Sequence, residues 1–134
     1  MALTENRAYT VEGQTRLLRV RISNSKSTPK VLYRGSILAV NPETGLADTA
    51  GGSASAIPCV LTRQVEIAPG ETAVVEAETG RIWLDCPAAA QANVGNFASV
   101  ADDAVSFDAK GVRLGMVLDV EPGAKVLVDF GYRS

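Results

Sequence analysis

Apolar and polar residues alternate with a period of two along much of the chain, which is typical of β-strands with one buried face. In the first clear segment, Leu18, Val20 and Ile22 fall on one face, and Arg19 and Arg21 fall on the other. The further segments predicted as strands are residues 31–34, 36–40, 57–66, 71–78, 81–86, 96–100, 104–107, 112–120 and 124–130. Turn sequences recur roughly every 8–12 residues, which favours a sandwich or barrel. The pattern predicts an all-β fold, a small antiparallel β-barrel or sandwich.

Two segments depart from the alternation. Residues 87–92 start with a proline and are followed by Gly95, which predicts one short helix. Residues 1–14 lack strong periodicity, and residues 1–16 are predicted to form an N-terminal extended arm, followed by a single β domain over residues 17–134. The chain length of 134 residues agrees with one domain.

Two connections are predicted from glycine and small residues. Thr79 and Gly80 are predicted to form the turn of a hairpin between the segments on either side of them. Residues 47–56 are small and flexible, and are predicted to form an exposed loop.

The charge is distributed unevenly along the chain. Residues 1–34 hold seven basic and two acidic residues (net +5), whereas residues 35–134 hold six basic and thirteen acidic residues (net −7). This division predicts that the basic segment meets an acidic surface, of the protein itself or of a partner. Arg16, Arg19 and Arg21 are the candidates for such a contact, and the alternative is an arginine-rich strand that faces solvent. The overall charge of −2 does not favour direct nucleic-acid binding.

The sequence offers little for catalysis or metal binding. It contains no histidine, which excludes Ser-His-Asp and Cys-His mechanisms. Cys59 and Cys86 are far apart and lie in apolar alternations, which predicts two buried free thiols, with a disulfide as the alternative. No secretory leader is recognised at the N-terminus, and no apolar run has the ~18 residues of a membrane helix.

Two groups of carboxylates lie close together in sequence and are candidates for a cation site or a catalytic pair. Asp102, Asp103 and Asp108 lack the ligand pattern of a calcium loop, and solvated turns are favoured over a cation site. Glu76 and Glu78 share one strand face, whereas a glycosidase pair flanks its substrate. We therefore expect no metal, no cofactor and no enzymatic activity.

Apolar residues on outward faces are more informative. Ile82 and Leu84 alternate inward, which places Trp83, the only tryptophan, on the outer face between Arg81 and Asp85. Outward apolar residues flanked by charges are typical of an interface patch with a polar rim. The alternative is that both faces of these strands are buried.

The last two strands extend this prediction. In residues 112–120 the inward set is predicted to be Val112, Leu114, Met116, Leu118 and Val120. Val117 is then outward, and in the final strand Val126, Val128 and Phe130 are inward and Leu127 is outward. The candidate interface residues are Trp83, Arg81, Val117, Leu127, Arg16, Arg19 and Arg21.

Three stretches resemble the small head-decoration, or capsid cement, proteins of tailed bacteriophages. They are YRGSILAVNPETG at residues 33–45, IAPGETAVV at 67–75 followed by TGRIWL at 79–84, and GVRLGMVL at 111–118 with PGAKVLV at 122–128. The resemblance covers about residues 33–130 and consists of strand and turn patterns.

This resemblance implies a structural protein of the virion. Such proteins bind the outside of the expanded head, usually as trimers, and bridge neighbouring major capsid subunits. The expected partners are the major capsid protein and further copies of the chain, with no direct contact to nucleic acid or membrane. The expected location is the capsid exterior, after assembly in the host cytoplasm.

Two other functions remain alternatives. A β-rich carbohydrate-binding or tail-associated adhesion module would use aromatic side chains on a concave face, and the chain has few. A trimeric β-barrel hydrolase of the nucleotide-pyrophosphatase type would need an acidic metal motif, which is not recognisable in the sequence.

Overall fold

Antiparallel β-strands dominate the structure, with 60% of the described residues in strands and 3% in helix. The computed structural model describes residues 3–49, 57–101, 104–107 and 111–130. The strands within these ranges are β1 (Thr10–Ser23), β2 (Lys30–Leu32), β3 (Ile37–Val40), β4 (Ala47–Thr49), β5 (Ile57–Leu61), β6 (Val65–Ile67), β7 (Thr72–Asp85), β8 (Phe97–Ala101), β9 (Ala104–Ser106), β10 (Val112–Glu121) and β11 (Lys125–Asp129). The predicted all-β class is confirmed.

One curled sheet contains all of these strands except two. Its order is β4-β3-β5-β7-β11-β10-β8-β9, and β1 pairs with β7 outside this sequence of neighbours. Strands β2 and β6 form a separate two-stranded ribbon. The sheet is an antiparallel half-barrel in which β7 is bonded to β1, β5 and β11. Strand β7 is therefore the centre of the fold.

Two separate apolar cores stabilise the sheet, one against each of its sides. Core 1 consists of Ile37, Ala39, Val60, Ile82, Leu84, Cys86, Ala89, Ala98, Val100, Val112, Leu114, Val117, Val120, Val126, Val128 and Phe130. Core 2 consists of Val20, Ile22, Leu32, Leu38, Ala47, Cys59, Leu61, Ile67, Val75 and Ala77. Strands β3 and β5 lie between the cores, because neighbouring residues on each point into opposite ones.

Strand β7 changes its buried face along its length. Its first half buries Val75 and Ala77 in core 2, and its second half buries Ile82 and Leu84 in core 1. The two pairs lie on opposite faces of one continuous strand, since odd and even residues alternate. The strand thus passes between the two cores near Gly80.

The hairpin predicted at Thr79 and Gly80 is wrong. Both halves of β7 pair with the same strand, β1, whose register shifts between Glu12 and Arg16. A Cβ on Gly80 would lie 3.0 Å from the Thr15 Cγ2 atom, so the bulge in β1 packs directly against this glycine. Because the buried positions change from odd to even residues near Gly80, the sequence pattern resembles two strands joined by a turn.

Other predicted boundaries need correction. The helix predicted for residues 87–92 is reduced to a single 3₁₀ turn, Gln91–Asn93. The strand predicted for residues 57–66 is divided into β5 and β6. The loop predicted from residue 47 begins with the short strand β4, and its remainder, residues 50–56, lies outside the described residues.

The predicted N-terminal arm is folded against the β domain wherever the structure describes it. The backbone N–H of Arg7 donates to the Arg34 carbonyl at 2.8 Å, and the Asn6 side chain accepts a hydrogen bond from the Arg34 N–H at 2.9 Å. Residues 10–16 belong to β1, whose first half pairs with the second half of β7. The boundary proposed at residue 16 therefore lies inside a strand rather than between an arm and a domain.

Gly35 provides a test of this N-terminal contact. Its φ is +86°, and a Cβ there would overlap the Arg7 carbonyl oxygen. We expect Gly35→Ala to lower the free energy of unfolding, measured by urea denaturation, by at least about 2 kcal/mol. Gly70→Ala is the matched control, because Gly70 has a φ of +76° and no atom within 4 Å of the added Cβ. Equal losses in the two variants would contradict the close packing of Arg7 on Gly35.

Candidate interaction surface

Trp83 lies on the outer face of β7, opposite Ile82 and Leu84 in core 1, as the alternation predicted. Its ring is half-buried, and its indole N–H donates a hydrogen bond of 3.1 Å to Glu12 Oε1 on β1. Its direct neighbours are Thr10 on β1 and Leu127 on β11. The tryptophan is therefore fixed in the sheet by a polar contact at one end while part of its ring stays accessible.

Acidic residues predominate around this tryptophan. Arg81 is exposed and is paired across the sheet with Glu12 on one side and Asp129 on the other. We call the outer side of these strands the Trp83 face; its members are Glu12, Arg81, Trp83, Asp85, Met116, Asp119, Glu121, Lys125, Leu127 and Asp129. Five acidic and two basic residues give this face a net charge of −3. An apolar centre with a charged rim is the arrangement found at many protein interfaces.

Leu127 lies on the predicted face but is not exposed. Its relative exposure is 4%, because it occupies the middle strand and is flanked across the sheet by Trp83 and Asp119. The expectation of a freely accessible leucine is wrong. Leu127 contributes to the Trp83 face by supporting the tryptophan.

Val117 is in core 1, contrary to the prediction, and has a relative exposure of 1%. Two register shifts in β10 cause the error, one between Arg113 and Gly115 and one between Val117 and Asp119. Each shift inserts an extra residue, so the inward positions stop following simple alternation. Leu118, which was expected inside, is 37% exposed.

The three candidate arginines do not join the Trp83 face as a group. Arg16 is paired with Thr79 and lies on the same side of β7 as Trp83, about four residues or roughly 13 Å along the strand. Arg19 and Arg21 are paired with Glu76 and Val74, on the opposite side. The structure therefore divides the predicted interface into two surfaces.

The second surface includes residues that the sequence analysis did not select. Leu17 and Val74 are the most exposed large apolar residues among those described, at 61% and 56%. They lie on the same side of β1 and β7 as Arg19 and Arg21. Leu17 could have indicated this second surface from the sequence, since it is an apolar residue at an outward position in an otherwise alternating strand.

A hydrogen-bonded cluster lies at the margin of core 1. The Tyr9 hydroxyl donates to Glu78 Oε1 at 2.9 Å, and the Thr15 hydroxyl donates to the other Glu78 oxygen. The Arg34 guanidinium lies 5.2 Å from the centre of the Tyr9 ring. Burial, together with the hydrogen bond to Glu78, raises the pKa of Tyr9 to about 12. Glu78 thus joins the N-terminal segment to β7.

The two cysteines are buried and free, as expected. Cys59 is in core 2 and Cys86 is in core 1, so the sheet separates them. Burial raises the pKa of Cys59 to about 12 and also raises that of Cys86, which keeps both thiols protonated at neutral pH.

Among the residues that the structure describes, no group of three acidic or cysteine side chains is arranged to hold a metal ion. The candidate calcium loop lies outside the described residues, which do not include Asp102, Asp103 and Asp108. In the same described ranges, none of the helical segments is long and apolar enough to cross a bilayer.

Comparison of the chain with protein-family models, with curated proteins and with solved structures found no match in any of the three.

Proposed function

We propose that the protein is a structural component of a tailed-phage virion. It binds the outer surface of the head and stabilises the expanded shell by bridging major capsid subunits. It acts without catalysis and as a homo-oligomer, a trimer by analogy with the family that residues 33–130 resemble. The observation that carries the proposal is the Trp83 face, which combines an accessible aromatic ring with a charged rim.

Most of the binding energy is expected to come from Trp83. A tryptophan seated among charged residues has the character of an interface hot spot. Its hydrogen bond to Glu12 holds the ring in place before a partner arrives, which reduces the entropy lost on binding. A protein that binds only the expanded lattice shifts the equilibrium toward that lattice. The stabilisation from each copy is modest, but it adds up over the many copies on one head.

The test first determines whether the reading frame lies beside a major-capsid gene, and then measures binding to purified heads assembled from that capsid protein. We expect saturable binding to expanded heads and much weaker binding to unexpanded heads, measured by cosedimentation. Trp83→Ala should weaken binding to expanded heads about thirtyfold, which corresponds to roughly 2 kcal/mol of lost apolar burial.

Val74→Ala is the control, because Val74 is exposed on the other surface and should be neutral toward heads. Normal head binding by Trp83→Ala would contradict the proposal, as would an absence of head binding in the wild-type protein. Trp83-dependent binding to a glycan, without head binding, would favour the carbohydrate-binding alternative. Light scattering on the free protein tests self-association separately.

A further inference from the structure

Strand β1 has one hydrogen-bonding edge that no described strand covers along most of its length. It pairs with β7 on one side, and among the described residues its only other backbone bridge is between Arg21 and Leu46, near its end. Residues 10–14 are exposed, and so are Arg16, Leu17 and Arg19. An uncovered edge presents N–H and C=O groups in the spacing of a strand, which is a template for a further strand.

We propose that the outer edge of β1 between Thr10 and Val20 binds an acidic, extended polypeptide segment of a partner by strand addition. The regular part is Arg16–Val20, where β1 is in uninterrupted register with β7. Five residues in this conformation span roughly 17 Å, which is the length of about five residues of an added strand. The proposal does not depend on the virion function.

The acidic character of the segment follows from the charges on β1. Among the described residues, none lies within ion-pairing distance of the Arg16, Arg19 or Arg21 guanidinium groups. Arg19 and Arg63 also border a groove of about 220 Å³, whose lining includes one carboxylate, that of Glu76, so the two guanidinium groups outnumber the acidic groups there. Arginine is suited to such a site because its planar group binds carboxylates through two hydrogen bonds.

The two faces of the strand define the side chains of the segment. On one face, Leu17 and Arg19 would lie beside acidic residues of an added strand, and Arg21 projects from the same face just beyond the uncovered edge. On the other face, Leu18 is only partly buried against core 2, and an apolar residue beside it would complete its cover. Alternating acidic and aliphatic residues therefore match the edge.

A second copy of the same edge is a poor occupant. Two β1 strands side by side would bring Arg19 and Arg21 of each copy together on one face, and like charges on neighbouring strands are destabilising. A nucleic acid would use the arginines but would leave the backbone edge and Leu17 without matching groups.

The probe is a fluorescein-labelled peptide of sequence Val-Glu-Val-Glu-Val-Glu-Val with a blocked C-terminus. We expect saturable binding by fluorescence anisotropy and slower amide hydrogen exchange within residues 16–20. The double variant Arg19→Ala/Arg21→Ala should weaken binding about tenfold. Its matched control is Arg81→Ala/Lys125→Ala, which removes two cations from the Trp83 face and should leave binding unchanged.

Three further probes separate strand addition from simple charge attraction. The lysine-for-glutamate peptide and the same acidic peptide methylated at every backbone nitrogen should not bind. A single-stranded oligonucleotide should not compete. The proposal is overturned if the acidic peptide fails to bind, if the methylated or lysine peptide binds equally well, if the oligonucleotide competes, or if the control variant loses as much affinity as the Arg19 and Arg21 variant. Circular dichroism of each variant verifies that these exposed substitutions preserve the fold.

Discussion

Deletion of residues 1–16 should lower the free energy of unfolding by at least about 3 kcal/mol. Among the described residues, the deletion removes at least seven hydrogen bonds to the rest of the domain besides the β1–β7 ladder, each worth roughly 0.5–1.5 kcal/mol net. They include the contacts of Asn6 and Arg7 with Arg34, of Tyr9 and Thr15 with Glu78, and of Glu12 with Trp83. It also uncovers the second half of β7 along one edge. Urea denaturation followed by far-UV circular dichroism measures the loss.

Deletion of residues 1–5 alone is the control, because it retains Asn6, Arg7 and Tyr9 and should cost much less. The sequence pattern had favoured a separable arm, whose removal would leave the core intact. A long deletion that unfolds at the wild-type urea concentration would restore that interpretation.

The second large effect is expected in the two cores. Leu61 is fully buried in core 2 and Leu114 is fully buried in core 1. We expect Leu61→Ala and Leu114→Ala each to lower the free energy of unfolding by about 3 kcal/mol. The protein should nevertheless unfold in one transition, because β3, β5 and β7 contribute side chains to both cores. The probes are Trp83 fluorescence, which reports on β7 and its neighbours, and circular dichroism, which reports on all strands.

Leu118→Ala is the matched control on the same strand as Leu114, since Leu118 is 37% exposed and its truncation should cost less than about 1 kcal/mol. Separate midpoints for fluorescence and circular dichroism in either core variant would show that the cores unfold independently.

The sequence was most informative where strands are regular. Alternation correctly placed Ile82 and Leu84 inside and Trp83 outside, and it correctly placed Val126 and Val128 in the core. These residues lie on β7 and β11, which pair without a register shift. In such a segment, one correct residue determines the orientation of all the others.

Bulges and neighbouring strands account for the errors. The predicted positions of Val117 (outward) and Leu118 (inward) are the reverse of those observed, because β10 contains two extra residues. Alternation alone does not reveal where a bulge falls. Leu127 was placed on the correct face, but its burial depends on side chains from strands far away in sequence. The free edge of β1 depends on which strand lies beside it, which is a property of topology rather than of local pattern.

The arrangement of β1, β7 and β11 has a mechanical consequence. Both outer strands are antiparallel to β7 and flank it over residues 81–83, so they run in the same direction on either side of it. The chain enters this trio at Thr10, opposite Trp83, and leaves it at Asp129, opposite Arg81. Tension between the two ends of the chain therefore pulls the outer strands in opposite directions along β7. The load is shared by all the hydrogen bonds of both ladders in shear, instead of peeling them apart one at a time.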